Sequence, residues 1–283
     1  MKILKIFLLI SVMTASMSLS GQNVLDGLYI KEHTIERKPI TYSHLREADV
    51  MWSKRVWRYI DLREKINHPL YYPKEPMNGK MSLFDVLLKG IKEGSLIAFA
   101  AGFPVQDDFR DQLSRDEIMG SLCIITDKEK DDVDNPGSMI AYKDTDCINS
   151  GRILGYELKE DWFFDRQRSV MDVRIIGICP IYSTKDAKTG DIRGKAKLCW
   201  LYFPNCREIF ANSEVFNRAN DAERRTFDDI FWKRTFGSYI TKESNIYDDR
   251  QINEYLFRGI DQQLEADKIK KEIFDYEINY WQY

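Results

Sequence analysis

Only three histidines occur in the 283 residues, His33, His44 and His68, and none has metal-ligand spacing. No CxxC pair exists, which removes the commonest zinc sets and a thioredoxin-like redox site. GxGxxG, P-loop, HExxH and GxSxG signatures are all missing, so dinucleotide, phosphate-loop, zincin and α/β-hydrolase chemistry have no motif to stand on. Neither sign of charge dominates, with 42 basic residues against 45 acidic ones. That leaves no electrostatic footprint for nucleic acid. No apolar run reaches the ~20 positions that a spanning helix needs.

What the chain has in quantity is rings: Phe, Trp and Tyr make up 13%, enough for a dense core or a large interface. Its start reads as a secretory leader, 1–21. Lys2 and Lys5 precede the apolar run from Ile6 to Val12, and small residues follow from Ala15 to Gly21. No cysteine sits at that boundary to carry a lipid. Five cysteines follow, at 123, 147, 179, 199 and 206. An odd count leaves at least one thiol unpaired within the chain.

Residues 22–47 are polar, lack helical periodicity and contain Pro39, so an extended arm is expected there. A single α+β domain is expected over 48–283, with helices flanking a small antiparallel sheet. In residues 48–67, Trp52, Val56, Tyr59 and Ile60 fall at helical spacing. Ser82 and Asp85 resemble a capping box ahead of the stripe Leu83, Val86, Leu87 and Ile91, with Gly94 as C-cap. Ser114 with Glu117 opens a second helix. Residues 127–137 read as an exposed loop, in which Asp132 and Asp134 only faintly resemble a calcium site.

The period then changes to two. Met171, Val173, Ile175, Cys179 and Ile181 alternate within 168–183, and a second strand covers 195–204 after the turn KDAKTGD. Opposed across that hairpin, Cys179 and Cys199 are the candidate disulfide, but one step of register puts them on opposite faces. Asp161 and Asp165, in EDWFFD, are the candidate acid/base pair; their flanking rings describe a strand equally well.

TFDDIFWKRTFGSYITKESNIYDDR, residues 226–250, packs six aromatic rings and nine charged side chains into twenty-five positions. Read as one helix capped by Thr226 and Asp229, it carries Phe227, Ile230 and Phe231 on one side. Trp232, Phe236, Tyr239 and Ile240 fall largely on the other. Two apolar stripes need two covers, the protein's own core and a neighbour. A long amphipathic helix follows from Arg250 to about Tyr276.

Four further stretches carry a resemblance with this one: VWRYIDLREKINHPLYYP, SLFDVLLKGIKEG, RSVMDVRIIGICPIY and EVFNRAND. Together they resemble the GldN/PorN family of gliding-motility and type IX secretion proteins, in matching order over most of 48–265. The resemblance implies a non-enzymatic periplasmic subunit with no cofactor or metal. It also implies a ring formed by self-association with the lipoprotein GldK/PorK beneath the outer membrane, engaging the motor protein GldM/PorM, without a membrane span of its own. Trp57, Arg58, Arg63, Trp232, Arg234 and Tyr239 are the expected interface residues, since Trp, Tyr and Arg dominate interface hot spots. A periplasmic carboxylate enzyme and a monomeric adaptor for secreted cargo are the alternatives.

Overall fold

The structure, a computed structural model, describes residues 36–77, 79–102, 107–131, 139–185, 192–218, 220 and 222–281. The expected leader, arm residues 22–35, the Asp132–Asp134 motif and most of the KDAKTGD turn lie outside them. Among the described residues, seven α-helices accompany a large antiparallel sheet of eight strands. The class is mixed α+β, but the sheet is far from small.

Its longest strands are β1 (Val50–Asp61), β6 (Ile153–Asp165) and β7 (Val170–Lys185). Shorter ones complete it: β2 (Ala98–Phe99), β3 (Gln112–Leu113), β8 (Ile192–Lys197), β9 (Trp200–Tyr202) and β10 (Tyr239–Glu243). The spatial order is β10-β1-β6-β7-β9-β2-β3, with β8 also paired to β7. A separate hairpin joins β4 (Cys123–Asp131) to β5 (Met139–Cys147), so the described part of the expected loop, 127–131, is strand.

Strand β1 corrects the helix expected over 48–67. Trp52, Val56 and Ile60 satisfy a period of two as well as a period of four, and Val, Trp, Tyr and Ile favour the pleated sheet. From Val56 onward every residue of the strand is buried, which fills in the alternation and imitates a helical stripe.

Helices form where capping and periodicity agree. In α2 (Leu83–Glu93), the Ser82 hydroxyl accepts from the Asp85 amide, and Gly94 closes the helix at φ 77°, a left-handed cap that favours glycine. Helix α3 (Arg115–Leu122) has the full capping box from Ser114 and Glu117. Ahead of both, α1 is a single turn (His68–Tyr71).

The stretch 226–250 is not one helix. Helix α5 (Phe227–Trp232) stops after six residues, Arg234 sits at φ 53°, and the chain re-enters the sheet as β10. Phe227, Ile230, Phe231 and Phe236 join the main core with Phe203 and Phe210 of α4 (Phe203–Ala211). Ile240 faces a second cluster with Val56, Ala266, Ile269 and Ile273. The last three lie on α7 (Gly259–Trp281), which follows the short α6 (Ile252–Tyr255).

The cysteines pair differently from expectation. Cys123 and Cys147 are directly opposed in the β4–β5 hairpin and form a disulfide. Cys179, Cys199 and Cys206 are buried thiols. A bulge between Lys159 and Glu160 shifts the phase of β7, and Cys199 falls in the break between β8 and β9. Cys179 therefore packs with Trp57 and Trp200, while Cys199 joins the main core. Alkylation of the denatured, unreduced chain is expected to modify three cysteines. Five modified cysteines would show the hairpin bond unformed. Its loop of 24 residues contributes about 3 kcal/mol by chain entropy.

Candidate partner-binding face

Chain segments distant in sequence meet over β6 and β7 to form a cleft of about 530 Å³. Trp162, Met171, Val173 and Ile175 supply its sheet wall, and Phe203, Arg207, Phe231 and Trp232 its helical wall. The segment Thr41–Ser43 lines the same cleft.

That segment is held by arginines. The Arg207 guanidinium donates to both carboxylate oxygens of Asp228, at 2.8 and 3.1 Å, and to the Ile40 carbonyl at 2.7 Å. It also lies 4.6 Å above the Tyr42 ring and 5.0 Å from Trp232. Arg174 donates to the Ser43 carbonyl and covers Tyr42. Burial raises the Tyr42 phenol above its ordinary range, with Arg207 opposing. The described end of the expected arm thus packs against its own chain.

At the cleft's other end Glu160, with its side chain fully buried, holds two arginines. Arg234 donates to both its oxygens at 2.9 and 3.1 Å, and Trp162 Nε1 donates at 3.1 Å. Arg58 Nε lies 3.1 Å from Oε2 as an ion pair without hydrogen-bond alignment. Both guanidinium groups face the Trp162 ring. One carboxylate between two cations leaves a buried centre of net positive charge.

A second such centre has Asp107 between Lys159 (3.3 Å) and Lys242 (3.4 Å), with the Lys242 ammonium 3.9 Å over Trp57. Burial alone would lift the Asp107 carboxyl. The two ammonium groups overcome that and hold it below the usual carboxylate range.

The six expected interface residues divide. Trp57 is 2% exposed, inside a cluster with Cys179 and Trp200, and Arg58 is buried on Glu160. Trp232 and Arg234 come together at the cleft. Tyr239 packs against Tyr59 at the sheet edge, their rings tilted by 57°, with Asp61 and Arg63 among its electrostatic neighbours. Trp232 and Tyr239 are each 43% exposed. The six are therefore two core residues and two separate surface groups.

Sequence reasoning missed Tyr42, Arg207, Asp228 and Glu160. An arginine in the apolar α4 and an aspartate inside the aromatic α5 were the available signals, because a buried charge demands a partner.

Asp161 and Asp165 do not converge. Arg55 binds Asp161 at 2.6 and 2.8 Å, and Arg168 binds Asp165 at 2.7 Å. The Arg168 hydrogen bond, with help from the Gln167 and Arg168 amides, lowers the Asp165 pKa. An acid/base pair needs the opposite shift on one member. Among the described residues no cluster of His, Cys, Asp and Glu fits a metal, and no helix is long and apolar enough to cross a membrane. What the face leaves exposed is the Trp232 ring, beside guanidinium groups already paired within the chain to Asp228 and Glu160.

A family model described as gliding motility associated protein GldN matches residues 45–282. No curated protein matches the chain.

Proposed function

The chain belongs to the GldN family, and from that premise we propose that it is a structural subunit of the type IX secretion machinery, without catalytic activity. The family itself is associated with gliding motility and type IX secretion. In this reading the mature protein occupies the periplasm and assembles into a ring with a lipoprotein of the GldK/PorK type. That lipoprotein holds the ring against the outer membrane, and the ring engages the periplasmic part of a GldM/PorM-type motor. The observation that carries it, beyond the family, is the exposed Trp232 beside Tyr42 and Arg207. Such an amphipathic ring next to a fixed cation is the composition of a protein-binding hot spot.

Alanine at Trp232 is expected to abolish co-purification with the lipoprotein while melting falls by less than about 4 °C. Retained co-purification, or loss of binding only together with loss of folding, would remove Trp232 from the interface. Size-exclusion of the chain with and without the lipoprotein separates ring assembly from a monomeric adaptor.

A further inference from the structure

Helix α7 has a second apolar face. Ala266, Ile269 and Ile273 turn into the cluster with Val56 and Ile240. At 3.6 residues per turn, Ile260, Leu264, Phe274 and Ile278 lie on the opposite side, and all four are exposed, Ile260 by 68% and Leu264 by 62%. The stripe continues through its middle as Asp267 and Lys271, also exposed. Positions 260, 264, 267, 271, 274 and 278 step alternately by four and three, the spacing of a helix-pairing seam.

The stripe is symmetric about Ile269. Ile260 and Ile278 are equidistant from it, as are Leu264 and Phe274, and as are Asp267 and Lys271. An antiparallel copy of the same helix would set Ile260 against Ile278, Leu264 against Phe274 and Asp267 against Lys271. Every layer is then complementary, apolar on apolar at the ends and opposite charges in the centre. A parallel copy would oppose aspartate to aspartate and lysine to lysine, which is unfavourable.

We propose that α7 is a two-fold self-association surface, its outer stripe covered by α7 of a second copy of this chain in antiparallel register. The inference does not depend on the ring reading, because a two-fold contact closes on itself and cannot build a ring unaided. It would join two chains, whatever else each contacts.

Charge exchange in the central layer tests it, using sedimentation of the purified chain, without other proteins, over a concentration series. Wild type is expected to dimerise. Asp267→Lys alone and Lys271→Asp alone each place like charges across both central contacts and should weaken association at least about tenfold. The double variant, Asp267→Lys with Lys271→Asp, restores complementarity and should restore the dimer. Both positions are exposed, and circular dichroism checks that α7 persists. A wild-type monomer, unchanged single variants, or a double variant as weak as the singles would each overturn the proposal.

Discussion

Replacing Glu160 by glutamine lowers the melting temperature by about 10 °C. The carboxylate is the sole counter-charge recorded for Arg58 among the described residues and holds both arms of Arg234. Its neutralisation leaves Arg58, 7% exposed, as an uncompensated charge in a poorly solvated place. Breaking a buried pair from one side costs about 3–5 kcal/mol, and in a domain of this size each kcal/mol moves the melt by roughly 2–4 °C. Removing the whole set should behave differently, since apolar replacement of a buried ionic triad is often neutral. The triple variant Arg58→Met, Glu160→Leu, Arg234→Met is therefore expected to regain most of the loss. Differential scanning calorimetry measures both, and a Glu160→Gln melt within about 2 °C of wild type would show that the network bears little of the fold.

Trp57→Ala is the second large effect, about 3–5 kcal/mol from lost burial and the cavity it leaves. Lys242 and Lys159 would also lose the ring they face, so the Asp107 centre loosens with it. Thermal denaturation should show a drop of about 10 °C, several times that of Trp232→Ala. Equal drops for the two tryptophans would mean that their surroundings do not govern the cost. The comparison separates a core ring from an exposed ring of the same chemical type.

The chain's capped helices were legible because caps are local. Ser82, Gly94, Ser114 and Glu117 each act within one turn of themselves, and the structure places all four as expected. Strand β1 was misread because its apolar positions fit two periods, and only the partners β6 and β10 decide between them. The same non-local dependence hid the end of α5. Nothing near Lys233 forbids another helical turn, but Ile240 and Lys242 have places in the sheet beside β1. The cleft was harder still, since Tyr42, Glu160, Arg207 and Arg234 meet only through the fold. Among the six expected interface residues, composition could rank Trp and Arg as anchors but could not tell buried from exposed ones.

Strand β1 must wait for its neighbours. Arg55 meets Asp161 106 positions later, and the Trp57 carbonyl accepts from Thr241 184 positions later. While the chain is still being synthesised, that early strand has two bare edges and a row of rings. Such a segment is prone to stray pairing until the last quarter arrives. A product truncated ahead of residue 239 should therefore accumulate as aggregate instead of a smaller folded unit.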